Sequence, residues 1–258
     1  MPHEFDGDKY ARVSSHQKEW GARLIGELDL KGDERILDLG CGDGALSAKL
    51  ADLVPQGSVL GIDASRGMIE VAAKHVRANL RFELLDIGAL AFSDAFDVVF
   101  SNATLHWVKD HRRLLANTLA VLSPGGVLRF NFGAEGNCAN FNRIVKSAMA
   151  DERFSRYFAG FDWPWYMPRL SEYEALLAEF PFRDARAWIE NADRHFGDAA
   201  AITGWIDQPS IVPFLARVAE ADKGAFRNAI VERMLAETRQ SDGTYFETFR
   251  RMNVFARK

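Results

Sequence analysis

Cysteine is scarce in this chain, and long apolar runs are lacking. Of 258 residues only two are cysteines, Cys41 and Cys138, and these form neither a metal-binding spacing nor a disulfide framework. No segment approaches the roughly 20 uninterrupted apolar residues of a membrane span, and the N-terminus lacks a basic and apolar signal pattern. The formal net charge of −4 gives no broad positive field for a phosphate backbone. We therefore expect a cytoplasmic protein that holds no metal and binds neither membranes nor nucleic acid.

Apolar segments of strand type alternate with segments of helix type along the chain. Hydrophobic residues make up 48% of the sequence, enough for one substantial core. Strands are predicted near residues 35–39, 58–62, 81–85, 97–102, 126–132, 184–190 and 250–257, the last as a candidate antiparallel edge. The pattern predicts an α/β, Rossmann-like, mostly parallel seven-stranded sheet with helices on both faces. It further predicts a single domain over 1–258, with a helical cap built from 10–28, part of 136–180 and 195–242.

A glycine-rich turn follows the first strand, with Gly40, Gly42 and Gly44 at alternate positions. Glycines there let the backbone bend sharply and approach a ligand. In the dinucleotide fingerprint the third glycine comes one residue later, and a carboxylate such as Asp43 inside the turn would repel a pyrophosphate. The second strand ends at Asp63, about 20 residues beyond the turn, where an acid can bind both ribose hydroxyls. A nucleoside with a ribose and no phosphate fits best, with a dehydrogenase as the competing interpretation.

Five segments in order along the chain resemble the motifs of the class I S-adenosylmethionine-dependent methyltransferases. They cover residues 37–44, 61–65 with Met68, 85–87, 96–102 and 122–126. The resemblance implies S-adenosylmethionine as the methyl donor, with glycines against its methionine part and acids on its ribose and adenine. The implied donor-binding residues are Ser14, Asp38, Gly40, Gly42, Asp63, Ala64, Met68, Asp86, Ile87 and Asn102.

Two further segments, residues 10–17 and 101–107, resemble the plant salicylate, jasmonate and benzoate carboxyl methyltransferases. In that family a glutamine and a tryptophan donate hydrogen bonds to the substrate carboxylate. By this resemblance Gln17 and Trp107 hold the acceptor, and Tyr10 lies near the donor or beside the substrate. His106 is a further candidate on the acceptor side.

The carboxyl-terminal third resembles the bacterial trans-aconitate methyltransferases, which also esterify a carboxylate. The matching segments are 201–206, 213–215 and 254–257. A substrate with several carboxylates would need a cluster of cations, for which Arg12, Arg169 and Arg194 are candidates.

No catalytic dyad is evident, and carboxyl transfer needs none, because a carboxylate with an ordinary pKa of roughly 4 is already deprotonated at neutral pH. Three functions remain open. The first is O-methylation of a small-molecule carboxylate to a methyl ester. The second is methyl transfer to a hydroxyl, amine or carbon with His106 as the base, and the third is non-catalytic donor binding.

Each candidate residue also has a structural interpretation: Trp107 as a core aromatic, Gln17 as an exposed helix residue and His106 as a buried structural histidine. The aromatic residues within 158–166 either pack under a long connection or line an acceptor pocket.

Overall fold

The computed structural model describes residues 7, 15–90 and 95–258, so the predictions made for Tyr10, Arg12 and Ser14 lie outside the described residues. Within them the helices are α1 (Ser15–Gly26), α2 (Ala45–Leu53), α3 (Arg66–Ala72), α4 (His111–Val121), α5 (Ala139–Ala150), α6 (Leu170–Leu177), α7 (Ala199–Trp205), α8 (Val212–Leu215) and α9 (Glu220–Thr238). Short 3₁₀ helices cover Ala73–His75, Ile87–Ala89, Leu105–Trp107 and Ser155–Tyr157, and a π-helical segment covers Ile206–Ser210. In this part of the chain, none of the helices combines the length and the apolar character needed to cross a bilayer.

The strands are β1 (Arg35–Leu39), β2 (Ser58–Asp63), β3 (Leu80–Leu84), β4 (Phe96–Asn102), β5 (Leu122–Gly133), β6 (Arg183–Asn191), β7 (Arg194–Phe196), β8 (Tyr245–Glu247) and β9 (Arg250–Arg257). Seven of them form one sheet in the order β3-β2-β1-β4-β5-β9-β6, and β7 pairs with β8 in a separate two-stranded sheet. Neighbours from β3 to β5 are parallel, and β9 runs antiparallel to β5. The predicted seven-stranded, mostly parallel sheet is confirmed.

The prediction that the last strand forms an edge is wrong, although its antiparallel direction is confirmed. β9 lies between β5 and β6, and its residues from Arg251 to Val254 are all buried. β6 is the edge instead, and most of its residues are exposed, as is usual for an edge strand that carries charged side chains. The insertion of β9 brings residues from the end of the chain beside those of β5.

Alternate side chains of the central strands enter two separate apolar cores, as the period of two in a strand requires. On β1, Ile36 packs with apolar residues of α1 and α2, whereas Leu37 and Leu39 pack with residues of α4 and α6. Helices therefore cover both faces of the sheet, as predicted. The carboxyl ends of β1, β2 and β4 meet at one edge of this layered structure, where ligands of open α/β sheets bind.

The chain forms two compact units. The first comprises Met1–Glu135, Trp165–Glu190 and Arg251–Lys258, and contains the seven-stranded sheet. The second comprises Gly136–Pro164 and Asn191–Arg250. In the second unit Glu247 is fully buried, and its carboxylate accepts the backbone N–H groups of Asn140 (3.1 Å) and Phe141 (2.9 Å) at the start of α5. The helical cap predicted from 10–28, part of 136–180 and 195–242 includes segments of both units and stays a prediction.

Candidate functional site

The glycine-rich turn after β1 bends through three left-handed residues. Gly40, Gly42 and Gly44 have φ values of +69°, +56° and +80°, which non-glycine residues seldom adopt. The Gly40 N–H donates to the Ile62 carbonyl at 2.8 Å, which fixes the turn to the end of β2. A Cβ on Gly40 would lie 2.0 Å from Cγ2 of Thr104 in the loop after β4. Glycine is therefore required at position 40 both by the backbone angle and by this close approach.

Asp63, at the end of β2, joins the glycine turn to the loop before α3. Its Oδ2 accepts the Gly42 N–H at 3.0 Å, and its Oδ1 accepts the Ser65 N–H at 2.9 Å. A carboxylate has about four lone-pair sites, so it can accept further hydrogen bonds from hydroxyl groups. Ala64 follows half-buried, and Met68 on α3 is 4% exposed. The half-buried Asp63 carboxylate suits the predicted ribose contact.

Two more carboxylates surround the turn. Asp38 on β1 is 2% exposed, and its Oδ2 accepts the Ser47 hydroxyl at 2.6 Å. Burial raises the pKa of Asp38 to about 7, the Ser47 hydrogen bond opposes this rise, and the negative charge of Asp63 adds to it. Asp43 inside the turn forms an ion pair with Lys18 of α1, with Nζ 2.6 Å from Oδ2. Lys18 thus balances the negative charge that Asp43 places in the turn. The donor contact of Asp38 stays a prediction.

The loop after β3 carries the residues predicted to bind adenine. Asp86 is exposed and begins the 3₁₀ helix Ile87–Ala89, with its Oδ1 accepting the Gly88 N–H at 2.7 Å. Ile87 is 7% exposed. An exposed carboxylate beside an apolar side chain is a suitable environment for the amino group and the ring of a purine.

Two residues with unmatched polar atoms meet where α1 contacts the end of β4. The Asn102 side chain donates from Nδ2 to the Gln17 carbonyl at 2.8 Å. Gln17 Oε1 and Asn102 Oδ1 here, and His106 Nδ1 in the 3₁₀ helix that follows β4, are buried and have no hydrogen-bond partner among the described residues. Because buried polar atoms in proteins are almost always hydrogen-bonded, such atoms suit contact with a polar ligand. The structure thus brings together Gln17 and Asn102, two residues that the sequence assigned to the site.

Trp107 and His106 lie in the 3₁₀ helix Leu105–Trp107, after β4. The Trp107 ring, half-buried, meets the Trp165 ring edge-on with centroids 5.7 Å apart. The Tyr166 N–H donates to the His106 carbonyl at 2.8 Å. Burial, then the positive charge of Arg251, lower the pKa of His106 from 6.5 to about 3. His106 is therefore a neutral imidazole at neutral pH.

The aromatic residues of 158–166 divide between the two units. In the second unit Phe158 packs against Phe226, and Trp163 packs against Phe214. In the first, Trp165 lies against Trp107, as described above. The packing interpretation therefore holds for the earlier part of this stretch, while its end lies beside the candidate acceptor residues.

His111, at the start of α4, is a structural support that the sequence did not reveal. Its Nε2 lies 2.9 Å from the Leu105 carbonyl, and its Nδ1 lies 3.1 Å from the Tyr173 hydroxyl. Burial lowers the pKa of His111 to about 4, so the ring is neutral. A neutral ring donates to the carbonyl and accepts from the hydroxyl, which fixes the turn that carries His106 and Trp107. Only its place at the first position of a helix could have drawn attention to it.

The arginine that is buried on β9 in the first unit is not one of the three arginines named from the sequence. Arg169 is exposed and pairs with Glu135, with Nε 2.8 Å from Oε1, and Arg194 belongs to β7 of the second unit. The guanidinium of Arg251 on β9 is instead 3% exposed and donates to Asn131 Oδ1 at 2.8 Å. The sequence carries no local signal for Arg251, because β9 also contains Arg250, Asn253 and Arg257.

Comparisons with known proteins agree with this geometry. A family model described as a methyltransferase domain matches residues 36–126. The trans-aconitate 2-methyltransferase of Deinococcus radiodurans is 34% identical over 208 residues, which are 79% of this chain and 79% of that protein. That of Variovorax paradoxus is 30% identical over 253 residues, 96% of each chain.

Among solved structures, phosphoethanolamine N-methyltransferase 2 of Haemonchus contortus, in complex with phosphomonomethylethanolamine and S-adenosylhomocysteine, is similar with a TM-score of 0.63. It is 19% identical, and the match covers 98% of this chain and 56% of that one, which supports the fold. S-adenosylmethionine is the cofactor, and the predicted enzyme class is confirmed. The chain therefore belongs to the family of the trans-aconitate 2-methyltransferases, within the class I S-adenosylmethionine-dependent methyltransferases.

Proposed function

We propose that this methyltransferase transfers a methyl group to a carboxylate oxygen of a small molecule and releases a methyl ester. The observation that carries the proposal is the unmatched buried atoms on Gln17 and Asn102, which contact each other, and on His106, which lies with Trp107 in the 3₁₀ helix that follows β4. A polar ligand bound there would satisfy groups that are otherwise costly to bury.

The contacts of the two amides suggest a division of roles. Asn102 uses its Nδ2 on the Gln17 carbonyl, so its unmatched Oδ1 can only accept, which suits the ammonium group of the donor's methionine part. The Gln17 side-chain amide can turn either its oxygen or its NH₂ group towards a ligand, because the two ends have the same shape. With NH₂ facing the acceptor, Gln17 and the Trp107 indole N–H would bind a carboxylate. Both then match the roles implied by the resemblance to the plant carboxyl methyltransferases.

Positioning is the main task of such a site. S-adenosylmethionine supplies an electrophilic methyl group on a sulfonium. The acceptor carboxylate needs no deprotonation at neutral pH, so Gln17 and Trp107 have only to hold one of its oxygens in line with that group. Orientation of this kind contributes up to roughly 7 to 11 kcal/mol in ideal intramolecular models.

The environment of His106 disfavours the hypothesis that it acts as a general base. A base whose pKa is about 3 accepts a proton from a hydroxyl or an ammonium group poorly. A neutral imidazole can instead donate one N–H to a carboxylate, so His106 fits the acceptor site without proton transfer.

The relatives guide the choice of substrate. Two proteins named trans-aconitate 2-methyltransferase align with 79% and 96% of this chain, so trans-aconitate is the first acceptor to test, followed by other small carboxylic acids. The proposed partners are such acids, and neither nucleic acid nor a membrane enters the proposal.

The test compares Gln17→Ala, Trp107→Phe and His106→Gln in steady-state kinetics with trans-aconitate and a panel of mono- and dicarboxylic acids. Loss of one hydrogen bond to a charged group should lower kcat/KM for the acid about 10- to 150-fold in the first two variants. The KM for S-adenosylmethionine should change little. Trp188→Phe makes the same change on the edge strand β6 and serves as the matched control.

Two outcomes would contradict the proposal. One is unchanged kinetics in both Gln17→Ala and Trp107→Phe. The other is loss of turnover only in His106→Gln, which would favour a base-dependent acceptor such as a hydroxyl or an amine.

A further inference from the structure

We infer that Arg251 belongs to the acceptor site and selects negatively charged acceptors over neutral ones of the same shape. The inference rests on the proposed carboxyl transfer and adds the residue that supplies the positive charge.

Arg251 is held between the strands in a fixed orientation. It lies opposite Gly133 in the antiparallel pairing of β5 and β9. Its Nε donates to Asn131 Oδ1 at 2.8 Å, and its Nη2 lies 3.4 Å from the Asn131 carbonyl. Two contacts with one residue of a central strand leave the planar guanidinium little freedom, so little conformational entropy remains to be lost when it binds an anion.

The same guanidinium borders both elements that carry the acceptor candidates. The Asn131 carbonyl also accepts the Ala103 N–H at 2.7 Å, and Ala103 begins the loop that leads to His106. On the other side, the Arg251 Cζ lies 4.6 Å from the centroid of the Trp20 ring, which is three residues beyond Gln17 on α1. Arg251 therefore lies where α1 and the loop after β4 approach each other.

The charge of Arg251 acts on His106. Its field contributes to the lowered pKa of His106, whose Nδ1 is one of the three unmatched buried atoms. With 3% of its surface exposed, Arg251 is little screened by water, so its field at this position is strong. That field favours a carboxylate and gives no advantage to a neutral amide.

A second buried arginine provides a matched control. Arg129 is also 3% exposed. It lies on β5 four residues before Gly133, the residue that pairs with Arg251, so both arginines are on the same face of the sheet. Its Nη2 is 2.7 Å from Glu27 Oε2 and 3.0 Å from Asn253 Oδ1, so its charge is paired within the protein. Replacing Arg129 tests the general cost of losing a buried guanidinium from this face.

The experiment measures binding to the complex with S-adenosylhomocysteine, in which no turnover occurs. The probes are trans-aconitate, citrate, succinate and benzoate, each beside the neutral compound in which every carboxyl is a carboxamide. The proteins are the wild type, Arg251→Gln, Arg251→Lys and Arg129→Gln. Affinity for S-adenosylhomocysteine and the melting temperature report whether each variant keeps a folded donor site.

Arg251→Gln should weaken binding of the acid about 30-fold or more and change amide binding less than about threefold. Arg251→Lys keeps the positive charge but loses the planar guanidinium, which can donate two parallel hydrogen bonds to a carboxylate. Its affinity for the acid should therefore fall between those of the wild type and Arg251→Gln. Arg129→Gln should keep the wild-type preference for acid over amide. The wild type itself should prefer the acid by about 30-fold or more, and this measurement needs no variant.

Equal losses for acid and amide in Arg251→Gln would overturn the assignment, as would an equal effect of Arg129→Gln or a wild type with no preference for the acid. Methyl esters are sought from the wild type with the same four acids. If the wild type forms esters but the ratio of acid affinity to amide affinity is unchanged in Arg251→Gln, only the role of Arg251 is contradicted and the proposed function stands. No ester from any acid would contradict the proposed function, and with it the acceptor role of Arg251.

Discussion

Replacement of Asp63 by Asn tests the donor site at the residue where the structure is most specific. The two oxygens of Asp63 accept the backbone N–H groups of Gly42 and Ser65 at 3.0 and 2.9 Å. Asn keeps the size of the side chain and one acceptor oxygen. It removes the charge, and it turns an NH₂ group towards one of the two backbone donors.

The expected loss has two separable parts. A hydrogen bond to a charged group contributes roughly 1.5 to 3 kcal/mol, so weaker binding of a ribose hydroxyl should raise the Kd of S-adenosylhomocysteine about 10- to 150-fold. The backbone N–H left without an acceptor costs about 1 to 3 kcal/mol of folding stability, which a lower melting temperature will report. Only the first part should depend on the ligand's hydroxyls.

Isothermal titration with S-adenosylhomocysteine and its 2′-deoxy analogue separates these parts in a double-mutant cycle. Asp63→Asn should cost much less affinity for the deoxy compound than for the parent. Asp97→Asn is the control: Asp97 accepts the Arg35 N–H at 2.9 Å and the Ser123 hydroxyl at 2.8 Å near the start of β4. An unchanged Kd in Asp63→Asn, or equal penalties for the two ligands, would refute the ribose assignment.

Three further predictions concern groups that are buried or charged. Because the pKa of Asp38 is raised to about 7, its carboxyl is protonated in the native state from pH 3.8 to about 7 and ionised in the unfolded state, so wild-type stability should fall as pH rises through that interval. Asp38→Asn should abolish this fall, worth up to about 4 kcal/mol at pH 8, and an equal pH dependence in urea unfolding of both proteins would contradict it. With a pKa of about 3, His106 should give no inflection near pH 6.5 in the kcat/KM profile, and an inflection there that disappears in His106→Gln would disprove this expectation. Glu247→Gln should lower stability by about 1 to 3 kcal/mol, since one of the N–H groups of Asn140 and Phe141 would face an NH₂ group. S-adenosylhomocysteine affinity should not change in this variant, and undiminished stability would show that the buried carboxylate is not needed there.

Much of the sheet could be predicted because buried parallel strands are short apolar runs bounded by turn residues. The bounds of β1 agree with the prediction to the residue. β5 begins earlier than predicted, because Leu122 pairs with Phe96 ahead of an irregularity in the register. The pair β7 and β8 was missed, since strands of three residues are too short to show a period of two.

Site residues at strand ends were also accessible to sequence reasoning, because the carboxyl ends of parallel strands meet at one edge. Asp63 and Asn102 do lie at the ends of β2 and β4, and their donor contacts stay predictions. Arg251 was not predicted, because its contacts with Asn131 on β5 and Trp20 on α1 join segments that are far apart in the sequence. His111 was also missed, because its ring is held by Tyr173, 62 residues further on, and no local pattern records such a contact.

The most direct measurement of the proposed function is the chemical identity of the methylated product. The wild-type enzyme is supplied with methyl-labelled S-adenosylmethionine and the panel of small carboxylic acids, and the labelled product is then treated with mild alkali. Carboxyl transfer predicts that the label is released as volatile methanol, because a methyl ester is hydrolysed under these conditions. A label that stays bound to the acceptor through this treatment would place the methyl group on nitrogen, carbon or an ether oxygen and contradict the proposal.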